Sequence, residues 1–550
     1  MPSDPPDFVH IITVEVFYIC VNFLHEVNAP IRRTRITKVE SMPTPAPFPE
    51  TLDAVLEYFS NRTPQAEFAV EGRNRLTFST ANQYVDRYSA WMDRHGVRPG
   101  DRIALIAAPG IPYVLTLMAA SRLGAIYVGV NPRYSRDEIS HVIETTQPTI
   151  LLHAPAPGEG DLATRAADAA GAIPVHQVPL AAIAEGPATP RRSPATSRDV
   201  AVIVFTSGST GRPKGAALHH GGLIGASHGQ HDHLDGEPRR YLSNLPINHV
   251  GAIMNTTMGC LIGGGTLIFQ ARFNPAGVLD LIERERVQTW LQVPAMFTMA
   301  VNHADFDTRD LSSLRSICIG GGAVSAPTLE RLRSTGAEIF VEYGQTEVMS
   351  SLSYSDPGAP DEVLLNSIGR FDPRFETRIA DQTGRSCGTG EIGEIQARGD
   401  CVLRGYWGNE QATRDAFTVD GWLRTGDLAC LRPDGNVSIK GRLREMIKSG
   451  GYNVYPREVE ATIETHPAVA EVVVFGIPDE VFGEAVHCAI ECRPGATVTG
   501  EALKAHCAAS LANYKIPKVF AVSAALPRLG NGKIDRAAIR TRGATTAGAA

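Results

Sequence analysis

At 550 residues, with 43% hydrophobic and 20% charged content, the chain is long enough for about three to four domain-sized units and has the composition of a globular protein. Its net charge of −7 argues against the basic face that nucleic-acid binding requires, so no nucleic-acid partner is expected. The nine cysteines are scattered, with no C-x-x-C pair and no zinc spacing, which fits a reducing compartment and a cytoplasmic location.

Residues 8–24 are apolar and β-branched, but His10, Glu15 and Asn22 interrupt them. The run lacks the basic start and small-residue cleavage site of a signal peptide. It also falls short of the ~20 predominantly apolar residues of a membrane span, so no integral membrane segment is expected. Residues 1–41 are therefore expected to be a disordered appendage or a misassigned start, with a peripheral membrane anchor as the alternative. From Thr51 the pattern becomes an amphipathic helix.

Residues 101–152 alternate strands and helices: 102–108, 125–130 and 149–153 as strands, 113–123 and 136–146 as helices. That alternation indicates βαβ units and a parallel sheet. A Pro/Ala-rich stretch, 154–197, reads as a connector. The β-branched run 200–205 is a buried strand, followed by a loop and a helical segment over 216–234. Strands follow at 241–245, 266–270, 289–293, 316–319 and 338–342, with helices at 278–286 and 327–333. Character changes near Asn366: residues 366–441 carry short alternating strands and Gly-rich turns, the pattern of a small β-barrel or sandwich. A compact α+β region follows Gly441, and the small-residue tail 541–550 reads as disordered. The expected fold class is α/β, a large N-terminal domain (42–443) with parallel-sheet subdomains and a small β subdomain, then a smaller α+β C-terminal domain (444–540).

The loop Thr206-Ser207-Gly208-Ser209-Thr210-Gly211-Arg212-Pro213-Lys214-Gly215 packs four hydroxyls, three glycines and two cations into ten residues. Glycines let the backbone aim several N–H groups at one anion, and hydroxyls and Lys add donors, so this is a phosphate cradle. It is not a Walker loop, because Pro213 precedes the lysine and Gly215 follows it where Ser or Thr would hold magnesium. Further along come Tyr343-Gly344-Gln345-Thr346-Glu347, Gly421-Trp422-Leu423-Arg424-Thr425-Gly426-Asp427, Gly441-Arg442-Leu443-Arg444-Glu445 and Gly530-Asn531-Gly532-Lys533.

In order and spacing these five motifs resemble the adenylate-forming (AMP-binding) superfamily over residues 50–540, and within it the AMP-forming acyl-CoA synthetases. The resemblance implies activation of a carboxylate by ATP to an acyl-adenylate, then transfer to the thiol of CoA. It implies that Thr206, Ser207, Gly208, Ser209, Thr210, Gly211 and Lys214 grip phosphates. Tyr343 would stack on adenine beside Gly321, Gly322, Gly344 and Gln345, and Thr346 would reach the α-phosphate. Glu347 would help hold Mg²⁺, a hard cation that prefers oxygen ligands. Asp427 would accept from both ribose hydroxyls with Arg442 as companion. Lys533 would bridge substrate carboxylate and phosphate, and Arg444 would be the hinge of the mobile C-terminal domain. Ser449, Gly450, Gly451 and Tyr452 would form the face that meets CoA. By the same resemblance the acyl pocket lies among His249, Val250, Ala295, Met296 and Gly320, with His249 as a gate at the carboxylate.

Small and apolar residues there, and no Asp of the amino-acid-binding type, favour a hydrophobic acid, medium- or long-chain fatty acids first. An aromatic or alicyclic acid, a carrier-protein acceptor in place of CoA, and a non-catalytic scaffold are the alternatives. The expected partners are thus a small carboxylic acid, ATP and CoA, with either a monomer or a homodimer.

Overall fold

The computed structural model describes residues 48–186, 195–206, 213–234, 236–449, 452–479, 482–528 and 534–547. The segment 1–41 and the loop 207–212 lie outside these residues, as do Gly450, Gly451 and Lys533.

Two large sheets hold the N-terminal part. In the first, strands Val200–Thr206, Ile126–Val130, Arg102–Ile106, Ile150–His153 and Val175–Gln177 lie side by side in parallel. All five residues of Ile126–Val130 are buried, as befits a strand covered on both faces. The crossover helix Arg136–Thr146 starts at a capping box, in which Ser135 accepts from the Glu138 N–H and the Glu138 carboxylate accepts from the Ser135 N–H. Helix Ile111–Leu123 ends where Gly124 takes φ of 69°, a left-handed cap.

The second sheet has nine strands. Its centre is parallel: Glu338–Gln345, Ser316–Ile319, Thr289–Gln292, Arg240–Ser243, Thr266–Phe269 and Glu67–Glu71. Trp290, Phe297 and Val278 anchor the core between this sheet and its helices. The carboxyl ends of its strands carry Gly320 and the Tyr343 motif, where open α/β sheets place ligands.

Four expectations change. The segment from Ala216 is not helical at its start: Lys214–His219 is a strand antiparallel to Val200–Thr206, and the helix is His220–His233. The Pro/Ala-rich stretch is more than a connector. It contains helix Leu162–Ala170, strand Val175–Gln177 at the sheet edge, and helix Leu180–Glu185. Its alanines lack bulk but still bury one helical face, Ala166, Ala169 and Ala170, against the core. The small β region forms neither barrel nor sandwich but one antiparallel four-stranded sheet: Glu376–Ala380, Ile392–Arg398, Leu423–Leu431 and Val437–Arg442. Finally, residues 541–547 of the expected disordered tail continue helix Arg536–Ala547, while 548–550 lie outside the described residues.

A separate five-stranded sheet forms the smaller C-terminal domain. Its long hairpin, Val469–Asp479 with Gly483–Cys492, packs against helices Pro456–Glu464 and Gly500–Ala508 through Val472, Val474, Ile463 and Leu503.

Candidate active site

Thr206 and Lys214, which flank the phosphate-type loop, are cross-strand partners on two antiparallel strands. Thr206 Oγ1 donates to Glu347 Oε1 at 3.2 Å. The same oxygen accepts from the Tyr406 hydroxyl at 2.9 Å. Lys214 Nζ lies 5.3 Å from the centroid of the Tyr406 ring, a cation–π contact. Burial, and then the Glu347 charge, hold the Tyr406 phenol well above its usual range, so it stays a donor. Tyr406 has no motif to mark it in the sequence. It arrives by pairing with Ala216, next to the loop's returning strand.

Glu347 belongs to a short 3₁₀ turn, Thr346–Val348, in which Thr346 is buried. Met349 closes that turn at φ of 61°, a left-handed conformation that a non-glycine residue adopts only when its surroundings hold it. The Met349 side chain is fully buried, which supplies that hold.

Four residues earlier in the same motif, the Tyr343 hydroxyl donates to Asp427 Oδ2 at 2.7 Å. Arg442 Nε contacts Asp427 Oδ1 at 2.6 Å from the adjacent strand, where the two residues are register partners. Burial raises the Asp427 carboxyl, and the Arg442 charge and the Tyr343 hydroxyl pull it back. Gln345 Nε2 reaches the Thr425 carbonyl at 3.5 Å. The structure thus joins Tyr343, Gln345, Asp427 and Arg442 on one side of the motif, and Thr206, Lys214 and Glu347 on the other. Gly344 lies between them, exposed.

The residues expected to hold the acyl group lie on three segments. His249 is exposed, and its Nδ1 accepts from the Gly251 N–H at 3.2 Å. Val250 is buried beside it, ahead of a π-helical segment, Gly251–Met258. Ala295 is exposed and Met296 half-buried in the first turn of Pro294–Val301. A Cβ on Gly321 would meet Val293, and one on Gly322 would meet Pro294, so the Gly320–322 turn lies against the start of that helix. Gly321 takes φ of +75° there. Sequence reasoning missed Glu342, the residue before Tyr343. Asn255 Nδ2 donates to its Oε1 at 2.9 Å, while its Oε2 is buried with no hydrogen-bond partner.

Arg444 is exposed on a 3₁₀ turn, Leu443–Glu445, between the β sheet and the C-terminal domain. Ser449 pairs with Tyr452 on antiparallel strands, and the exposed Tyr452 ring stacks on Tyr514 with centroids 4.4 Å apart. Among the described residues, no cluster of three or more His, Cys, Asp or Glu side chains could hold a metal ion by itself. No helix of the described residues is long and apolar enough to cross a membrane.

Two family models match the chain, "AMP-binding enzyme" over residues 56–407 and "AMP-binding enzyme C-terminal domain" over residues 458–533. A feruloyl-CoA synthase of Amycolatopsis sp is 34% identical, across 87% of this chain and 96% of the relative. The mitochondrial medium-chain acyl-CoA ligase ACSF2 of Macaca fascicularis is 30% identical, across 89% of this chain and 87% of the relative. The crystal structure of ATP-bound MatB from Rhodopseudomonas palustris superposes with a TM-score of 0.81 at 26% identity, covering 90% of this chain and 99% of that one. With both models matched in order, on a fold shared with an ATP-bound relative, the chain belongs to the AMP-binding enzyme family.

Proposed function

We propose that this protein is an acid–CoA ligase that joins a hydrophobic carboxylic acid to CoA at the cost of ATP, releasing AMP and pyrophosphate. One observation carries the reading: the Tyr343–Glu347 motif joins a carboxylate–arginine pair, Asp427 and Arg442, to the base of a Gly/Ser/Thr loop at Thr206 and Lys214. A nucleotide needs both ends, a base-and-ribose end and a polyphosphate end, and one five-residue motif supplies the link.

In the first step a substrate carboxylate oxygen attacks the α-phosphorus, and pyrophosphate leaves with the electron pair of the broken P–O bond. Loop hydroxyls, backbone N–H groups and Lys214 bind the β- and γ-phosphates, with Ser207, Gly208, Ser209, Thr210 and Gly211 as the loop's part. Thr346 donates to the α-phosphate, and Lys533 stabilises the charge that builds there. Tyr343 flanks the adenine with Gly321 and Gly322. Asp427 accepts from the ribose hydroxyls and is held by Arg442. Glu347, an oxygen donor beside the Thr206 hydroxyl, fits Mg²⁺, which takes one or two carboxylates and completes its shell with water and phosphate. Mg²⁺ supplies charge neutralisation to the polyphosphate. In the second step the CoA sulfur attacks the acyl carbonyl and AMP leaves. Rotation about Arg444 replaces Lys533 with the Ser449–Tyr452 turn at the site.

For the acid, the small and apolar residues around His249, Val250, Ala295, Met296 and Gly320 support a medium- or long-chain fatty acid. An aromatic acid is the second reading, favoured by the feruloyl-CoA synthase relative.

The test is pyrophosphate release from a panel of aliphatic and aromatic acids, with and without CoA, in wild type and two variants. Lys533→Ala is expected to lose pyrophosphate release yet still convert a supplied acyl-adenylate to acyl-CoA. Arg444→Pro, with φ fixed near −65°, is expected to form adenylate but transfer it poorly. Proportional loss of both half-reactions in both folded variants defeats the two-state reading, and absence of acid-dependent pyrophosphate release defeats the ligase reading itself.

A further inference from the structure

Glu342 is a carboxylate where hydrophobic-acid binding alone has no use for one. It sits on strand Glu338–Gln345 one residue before Tyr343, so its side chain leaves the opposite face of the strand. Tyr343 reaches toward Asp427, and Glu342 reaches toward Asn255 on the π-helical segment that follows His249 and Val250. On its other side is Gly320, where a Cβ would lie 2.8 Å from Glu342 Oε1. The carboxylate is therefore wedged between the two segments that bound the expected acyl region, and the glycine leaves it room.

Its hydrogen bonding is half complete. Oε1 accepts from Asn255, whose Nδ2 also donates to Ser351 Oγ at 3.2 Å, while Oε2 is buried and unpaired. A buried unpaired acceptor on a charged group is costly to keep. Burial pushes the Glu342 carboxyl up to about 7, with Ser351 and Asn255 pulling it down. Burial thus disfavours the charged form of this carboxyl more than its two polar neighbours favour it. The residue as a whole is not sealed, since part of it remains accessible.

We propose that Glu342 determines specificity: its Oε2 accepts a hydrogen bond from an O–H or N–H donor carried by the acyl group away from the carboxylate being activated. The preferred substrate is then a hydrophobic acid bearing a remote donor. This deepens the acid–CoA ligase reading and rests on it.

Matched pairs of acids test it, each differing only in the donor: 4-hydroxycinnamate against 4-methoxycinnamate and cinnamate, indole-3-acetate against 1-methylindole-3-acetate, and 10-hydroxydecanoate against decanoate. Wild type is expected to favour one donor-bearing member by about 10- to 100-fold in kcat/KM, the range of a hydrogen bond to a charged acceptor. Which pair shows it separates phenolic O–H, ring N–H and aliphatic O–H sources. Glu342→Leu is expected to collapse that ratio to within about threefold, and Glu342→Gln, isosteric and able to accept through its carbonyl, to retain part of it. A merely structural Glu342 would change overall activity and leave the ratio where it was. Should Glu342→Leu fail to fold, the wild-type ratios and Glu342→Gln decide. Equal kcat/KM within every pair in wild type, or a ratio that survives both substitutions, overturns the proposal with the ligase reading intact. Absence of turnover with every acid overturns both.

Discussion

Replacing Asp427 with Ala tests the nucleotide end of the site at its most buried charge. A carboxylate offers about four acceptor positions. Tyr343 and Arg442 take two of them at 2.7 and 2.6 Å, which leaves acceptor capacity for the two ribose hydroxyls. A hydrogen bond to a charged group contributes about 1.5–3 kcal/mol net, so losing even one weakens ATP binding by about 10- to 150-fold. Stability should respond differently. Burial already raises the Asp427 carboxyl, so removing it relieves a desolvation cost, and Arg442, whose side chain is 42% exposed, regains water. A large loss of affinity with a small change in ligand-free Tm is the expected signature. Isothermal titration with a non-hydrolysable ATP analogue reads the first, and thermal unfolding reads the second. At a ligand concentration of 100 times the wild-type Kd, wild type gains about 2.7 kcal/mol from binding, whereas a variant bound 30-fold more weakly gains about 0.9 kcal/mol. An Asp427→Ala protein whose ATP affinity stays within twofold of wild type would refute the ribose role.

Two further predictions concern the scaffold. His220 accepts from the Leu52 N–H through Nδ1, and burial holds its pKa down at about 4 from an ordinary 6.5. The unfolded chain therefore takes up a proton that the folded chain refuses, so stability is full above about pH 6.5 and falls by up to about 3 kcal/mol on acidification to pH 4. His220→Gln should flatten the fall in Tm between those pH values, and unchanged slopes would contradict the reading. Arg122, fully buried, pairs with Asp86 at 2.6 Å and Asp53 at 3.3 Å. Arg122→Ala removes the positive partner of both carboxylates and is expected to cost about 3–5 kcal/mol, measured as a lower urea midpoint; a midpoint within error of wild type would count against it.

Periodicity alone located helix Arg136–Thr146 and strand Ser316–Ile319 to the residue, because caps and burial of successive side chains are local properties of the backbone. Five spaced motifs then identified the family, since Gly, Ser, Thr and Asp at fixed intervals state a chemistry that no other segment has to complete. Local pattern failed where the partner was distant. Lys214–His219 is a strand only because Val200–Thr206 turns back on it, and its own residues, rich in Gly and Ala, carry little propensity for either state. The Ala-rich helix Leu162–Ala170 lacked the bulky apolar residues by which a core face is recognised, yet small side chains pack equally well where the sheet is close.

The same limit governs the site. Tyr343, Asp427 and Glu347 were legible as motif members, but Tyr406 and Glu342 were not. Tyr406 joins Glu347 through pairing of Gly405–Tyr406 with Ala216–Ala217, nearly 190 residues away in sequence, and nothing around it signals that register. Glu342 read as the end of a strand, and its company depends on which face of the strand meets Asn255 and Gly320. A sequence fixes which groups are available and which backbone shapes they prefer. Which buried carboxylate is paired, and which keeps one oxygen open, depends on strand register and side-chain packing between distant segments, and those are settled only when the whole core closes.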